Sequence, residues 1–160
     1  MTNPRFDELL EATLDQTIRL LRKQGRNEWI IVDVDSTPTE LFCLQDEGSF
    51  DGHYGVQSYL PIFVSINGIP TFVQNAPGAA NGAKLMLVHV RHVIAKLTSS
   101  FPNAKIVFRG DTGYINDALI EAIKDEECRF LFGCNTRSRS CGRRLPARSR
   151  RSLRPTNTER

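Results

Sequence analysis

The sequence predicts a mixed α/β domain, on three observations. Trp29 to Val34 is a near-continuous apolar, β-branched run with one aspartate, Asp33, inside it. Asn67-Gly68 separates two further apolar runs. Apolar residues recur at helical spacing before, between and after these runs. An unbroken apolar run of this length reads as a buried strand, and a two-residue Asn-Gly turn reads as a hairpin. Recurrence at three and four residues reads as a helix with one buried face.

In chain order, residues 4–24 predict a helix. Phe6, Leu9, Leu10, Thr13, Leu14, Ile18 and Leu21 lie on one face, Pro4 suits the first turn and Gly25 ends it. The strand at Trp29 follows, and then a polar, Gly-containing stretch through Gly55. Residues 57–66 and 69–73 predict the two arms of the hairpin. Residues 79–99 predict a second helix with Met86, Val90, Val93, Ile94 and Leu97 on one face. Residues 105–108 predict a strand that ends at Arg109-Gly110-Asp111. A helix over 115–126 and a strand over 128–132 complete the ordered part. The order is helix, strand, hairpin, helix, strand, helix, strand.

At 160 residues the chain suits one domain. Its hydrophobic fraction of 40% and charged fraction of 24% are those of a soluble globular protein. No apolar run approaches the roughly 18 residues a membrane span requires, and the acidic start lacks the apolar core of a signal peptide. These features predict a cytoplasmic protein without a membrane partner. Cys43, Cys128, Cys134 and Cys141 fit no zinc-ligand spacing and read as reduced thiols.

Charge is divided unevenly. The segment from Cys134 onward holds nine of the 21 Lys and Arg residues, all arginine, and one of the 18 acids, Glu159, so it carries +8 and the rest carries −5. An arginine arm for nucleic acid is one reading, because arginines displace counterions from phosphates. The segment has no lysine, aromatic residue or period, however, and reads better as out-of-frame, disordered sequence.

Two aspartates carry the candidate chemistry. Asp35 closes the first strand within DVDST, and Asp111 follows a later strand within RGDTGY. Strand ends are where α/β folds place reactive groups. If the two strands are parallel neighbours, the carboxylates form a hard oxygen site for Mg²⁺ or Mn²⁺ of the kind used in phosphodiester cleavage. The plainer reading is that each aspartate caps a strand end or the next helix. His89 and His92 lie three apart on a helix, but with no third ligand in sight they read as surface or half-buried histidines rather than metal ligands. The segment PGAANGAK lacks the spacing of a phosphate loop and reads as a turn into a helix.

The segment DVDSTPTELFCLQDEGSFDGHYGVQSYLPIFV resembles the first catalytic block of insertion-sequence transposases of the DDE group, whose catalytic domain has an RNase H-like fold. Members read D-x-D-x-T, a Q-x-E-G-like element, an N-G-H-x-G-like element and Y-x-P-L. Asp35, Thr37, Gln45, Glu47, Gly48, Gly52, His53, Tyr54, Gly55, Tyr59 and Pro61 stand in matching places. RGDTGY resembles the R-x-D-x-x-F block with the second catalytic aspartate, and FLFGC resembles the next strand. The resemblance covers about residues 28–134.

It implies a partial RNase H-like domain, a mixed sheet with flanking helices, in which Asp35 and Asp111 are catalytic and metal-binding. It also implies DNA at transposon ends as the partner, with or without oligomer formation. His53, beside Asp51, and Arg109 are weaker candidates for DNA contact. For His53 the alternative is structuring the GHYG loop, and for Arg109 it is pairing with Asp35. The helix that would carry a third carboxylate after the fifth strand is missing, and so is the family's N-terminal DNA-gripping region. The implied organisation is an N-terminal helix over 1–25, a partial catalytic domain over 26–133 and an Arg-rich tail over 134–160. The implied function is that of a fragment, inactive as it stands, of an enzyme that cuts and joins DNA.

Two alternatives stay open. WIIVDVDSTPTEL also fits a haloacid-dehalogenase-like phosphatase, with Asp33 as nucleophile, Asp35 as general acid, Asp111 and Asp117 as Mg²⁺ ligands and Lys84 as its lysine. The other is an inert gene remnant.

Overall fold

The periodicity at the N-terminus becomes helix α1 (Pro4–Gln24), which ends at Gly25 in the left-handed region, φ 68°. Such a residue lets the chain leave the helix without the Cβ clash that any other side chain would meet. The computed structural model describes residues 4–133 except Arg26, Leu44, Glu47, His53 and Tyr54. The predicted tail and His53 therefore lie outside the described residues.

After α1 come β1 (Trp29–Ser36), β2 (Thr39–Glu40), β3 (Ser49–Asp51), β4 (Val56–Tyr59), β5 (Ile62–Ile66) and β6 (Ile69–Gln74). Helix α2 (Gly82–Ser100), β7 (Lys105–Gly110), a 3-10 turn (Thr112–Tyr114), α3 (Asp117–Asp125) and β8 (Arg129–Phe132) follow. The main sheet has the order β6-β5-β1-β7-β8. β5 is antiparallel to both β1 and β6, while β7 is parallel to β1 and to β8. Numbered within this sheet, the order is third, second, first, fourth, fifth, with α2 crossing from third to fourth. This is the RNase H-like arrangement as far as its fifth strand.

Alternation along the strands sorts the side chains. Ile30, Val32 and Val34 of β1, Ile62, Val64 and Ile66 of β5, and Ile106 and Phe108 of β7 are buried on one face. Leu10, Leu14, Ile18 and Leu21 of α1 meet them there, as do Met86, Val90, Val93, Ile94 and Leu97 of α2 and Leu119 and Ile123 of α3. The opposite face is open among the described residues. Trp29, Phe63, Val73 and Leu131 lie there at 41%, 46%, 51% and 62% exposure. Lys105 and Arg129 flank the Trp29 ring, at 4.9 and 5.3 Å from its centroid.

The hairpin turn is the one expected. Asn67 and Gly68 both have positive φ, at 50° and 77°, as a type I′ turn requires. The Asn67 side chain also ties the hairpin to β1, accepting from the Ile31 N–H at 2.7 Å and donating to the Trp29 carbonyl at 3.1 Å.

Three departures from the expected boundaries have a local cause. The single strand over 57–66 is broken at Leu60-Pro61, where Leu60 N–H turns to the Ala76 carbonyl and Pro61 has no N–H to offer a ladder. Its first part, β4, joins a separate small sheet with the order β2-β4-β3. The second helix begins at Gly82 rather than at 79, because Asn81 caps it by accepting the Lys84 N–H at 3.1 Å. The third helix begins at Asp117 rather than at 115, where Asn116 does the same for Leu119 N–H.

Candidate metal site at the ends of β1 and β7

Two parallel neighbours deliver the aspartates to one place. β1 and β7 run in register to Val34 opposite Gly110, and the next residue of each chain is Asp35 and Asp111. Asp35 pairs across β1 and β5 with exposed Phe63, so it faces the open side of the sheet. The backbone at Asp111 is still extended, φ −82° and ψ −172°, so alternation turns its side chain to the same side as Arg109.

Each carboxylate is oriented by the adjoining backbone. Asp35 Oδ1 accepts the Ser36 N–H at 2.8 Å, and Asp111 Oδ1 accepts the Gly113 N–H at 2.9 Å, capping the 3-10 turn. The second oxygen of each makes no hydrogen bond among the described residues and is free to ligate. Both aspartates are exposed. Two hard carboxylates open to water suit Mg²⁺, which keeps several of its waters and takes one or two carboxylates. Among the described residues no group of three or more His, Cys, Asp or Glu side chains is placed to hold a metal.

Arg109 does not pair with Asp35. Its Nε and a terminal nitrogen bond both oxygens of Asp33, its register partner across β1 and β7, the second at 2.9 Å. The hydrogen bonds and charge of Asp33 raise the Arg109 pKa further. The register of β1 with β7, which sets Arg109 opposite Asp33 and not Asp35, gives the arginine to the inner aspartate and leaves the outer one to solvent. A hollow of about 350 Å³ beside this pair is lined by Asp33, Asp35, Phe63, Ser65, Pro70 and Val73.

Beneath the two carboxylates lies Tyr114, which sequence reasoning did not single out. It is 2% exposed. Its ring is clasped by two glycines: a Cβ on Gly110 would come within 3.3 Å of it, and one on Gly82 within 3.2 Å. Burial raises the pKa of its hydroxyl, Ser36 opposes this, and the charges of Asp111 and Asp35 raise it further. Ser36 is thus close, but no hydrogen bond of proper geometry reaches the buried hydroxyl. A hydroxyl in that state costs on the order of 1–3 kcal/mol. The signal available in the sequence was a tyrosine where the resembled block has phenylalanine.

The two helical histidines have separate roles. His89 is buried against Phe6 and Phe72, and burial lowers its pKa. His92 meets Glu11, which with Asp15 also holds Lys96. These contacts tie α2 to α1. Cys43 and Cys128 are free thiols, and burial pushes Cys128 up to about 11, away from reactivity. Cys134 and Cys141 lie outside the described residues. No helix among the described residues is long and apolar enough to cross a membrane.

The family called transposase DDE domain group 1 matches residues 3–150. The chain belongs to that family. The matched span begins just before α1, takes in the whole main sheet and reaches into the Arg-rich segment. No curated protein matches the chain in sequence.

Among solved structures, the catalytic domain of Mos1 mariner transposase is 11% identical with a TM-score of 0.42, over 82% of this chain and 62% of that one. The same catalytic domain with Raltegravir and Mg gives 11% and 0.45, over 82% and 63%. The Mos1 paired-end complex with the left transposon end gives 12% and 0.41, over 82% and 43%. The chain thus spans less than two thirds of the length of each of these. As a member of the DDE family it is not a haloacid-dehalogenase-like phosphatase. Asp33, the nucleophile of that reading, is occupied by Arg109, and β1 leads to antiparallel strands rather than to a helix.

Proposed function

We propose that Asp35 and Asp111 hold a divalent cation, Mg²⁺ or Mn²⁺, between the ends of β1 and β7. In the intact insertion-sequence transposase this pair would serve the cutting and joining of DNA phosphodiesters at transposon ends. The observation that supports the reading is the register of Val34 with Gly110, after which Asp35 and Asp111 are the next residues of adjacent parallel strands. A cation held there would supply one half of the work that two such ions share in phosphodiester cleavage, activation of the attacking oxygen and stabilisation of the leaving one. The protein's part is to fix the two carboxylates, each by one backbone N–H, and to keep Asp33 neutralised by Arg109 beside them.

Arg109 remains half exposed while paired, and its outward N–H groups are the proposed contact to a DNA phosphate. His53, in the matched block, is the second proposed contact. We place the catalytic unit at 26–133, led by α1 within 1–25 and followed by the tail at 134–160, in a cytoplasmic protein. The chain on its own is inactive in this reading. After Cys134 it offers a single acid, Glu159, and two carboxylates alone clamp a leaving oxygen incompletely.

The test is Mn²⁺ titration of the purified chain, run beside incubation with supercoiled plasmid and transposon-end oligonucleotides in Mg²⁺ and in Mn²⁺. Weak Mn²⁺ binding abolished by Asp35→Asn and by Asp111→Asn, without nicking, is the expected result. Binding that neither substitution alters would remove the site. Metal-dependent nicking lost in both variants would keep the site and refute the inactivity.

A further inference from the structure

We propose that Tyr114 is a positioning residue for this metal site, its buried hydroxyl hydrogen-bonding Ser36 when a cation draws Asp35 and Asp111 together. The inference rests on the assignment of those aspartates as the metal pair.

Three observations lead to it. The first is placement. Ser36 follows Asp35 on β1 and faces the helix-covered side, in register with buried Ile62, while Asp35 faces the open side. Tyr114 ends the 3-10 turn that Asp111 caps. The two hydroxyls therefore belong to the same two short segments as the two carboxylates, one layer deeper.

The second is immobility. The ring is held between Gly110, the last residue of β7, and Gly82, the first residue of α2, and a methyl group on either would crowd it. A side chain clasped in this way transmits a small shift of one segment to the other.

The third is the unmet hydroxyl. Among the described residues the Tyr114 oxygen is buried without a hydrogen-bond partner. A phenylalanine would carry no such unmet group. The hydroxyl is explained if its partner is engaged only in the metal-bound arrangement. Ser36 Oγ is then the acceptor, and the bond fixes the Asp35–Ser36 peptide. That peptide's N–H in turn orients the Asp35 carboxylate.

This predicts opposite signs for two measurements on one variant, which a purely structural tyrosine would not give. Tyr114→Phe should leave the thermal midpoint of the metal-free chain unchanged or raised, because an unmet buried hydroxyl is removed. The same variant should bind Mn²⁺ about three- to ten-fold more weakly, read as free Mn²⁺ by electron paramagnetic resonance, the loss of roughly one neutral hydrogen bond. Ser36→Ala should weaken binding to a similar degree, and the double variant should be no worse than either single one, since the two groups share one bond.

Wild-type affinity in Tyr114→Phe, with binding still abolished in Asp35→Asn, would overturn the positioning role and leave the metal site standing. Failure of the wild-type chain to bind Mn²⁺ at all would overturn both. A lowered midpoint for metal-free Tyr114→Phe with unchanged affinity would make the tyrosine structural only.

Discussion

Asp33 and Arg109 face each other as register partners across β1 and β7, and the guanidinium engages both carboxylate oxygens. Of the two aspartates in DVDST, the inner one is thereby neutralised and the outer one is left open. Asp33→Asn should accordingly keep Mn²⁺ binding, whereas Asp35→Asn should abolish it. Arg109→Ala should tighten Mn²⁺ binding about two- to three-fold, because an uncompensated carboxylate then lies beside the site. It should also weaken oligonucleotide binding and flatten its salt dependence. Loss of Mn²⁺ binding in Asp33→Asn would show that the wrong aspartate has been assigned.

Asn67 joins the β5–β6 turn to β1 through two side-chain hydrogen bonds while itself holding a φ of 50°. Asn67→Ala removes both bonds and leaves a residue poorly suited to the left-handed region. The expected cost is about 1.5–3 kcal/mol, read as a lower urea midpoint with an unchanged slope. Asn67→Gly should recover part of it, since glycine restores the backbone freedom but not the bonds. Equal losses for the two variants would assign the whole effect to the hydrogen bonds.

The elements that sequence reading located well are those whose pattern is local. The Trp29 run, the Asn67-Gly68 turn and the α1 stripe each declare themselves within a few residues, and each stands where expected, except that Leu9 of the predicted stripe is 61% exposed and Thr17 is buried instead. The break at Pro61 was legible in principle, because a proline has no N–H for a ladder. The small β2-β4-β3 sheet was not, since its strands are two to four residues long and polar. At the site, the motif named Asp35 and Asp111 by position. Which aspartate Arg109 would take depends on the register of two strands 76 residues apart, and no local pattern encodes that. His89 was misread for a similar reason. Its burial is made by Phe6 and Phe72 from other elements.

Burial lowers the pKa of His89, with Asp7 opposing and His92 adding to the effect. The folded chain therefore resists a proton that the unfolded chain accepts near its ordinary value of 6.5. The stability from neutral His89 is complete above that value and is lost as pH falls through it towards the folded pKa. The slope contributed is at most about 1.4 kcal/mol per pH unit. Urea midpoints at pH 7.5 and 5.5 should fall for the wild-type chain and fall less for His89→Phe, which keeps an apolar ring against Phe6 and Phe72. An identical drop in both proteins would assign the pH dependence elsewhere.

Gly110 offers the strictest test of the link between packing and site. A Cβ there would lie 3.2 Å from the Phe132 ring and 3.3 Å from the Tyr114 ring. Contacts that tight require a neighbour to yield by a few tenths of an ångström. Phe132 is at the end of β8 and partly exposed, so it has room to give. Tyr114 has less, because Gly82 closes on its other side. Gly110→Ala should therefore cost about 1–3 kcal/mol, the usual range for overpacking. Because the ring adjoins the Asp111 turn, the same change should also weaken Mn²⁺ binding. Gly52→Ala, where a Cβ meets nothing within 4 Å, should alter neither quantity. A Gly110→Ala chain that loses stability but binds Mn²⁺ as the wild type does would show that Phe132 alone absorbs the strain. The carboxylate pair would then be mechanically independent of the core beneath it.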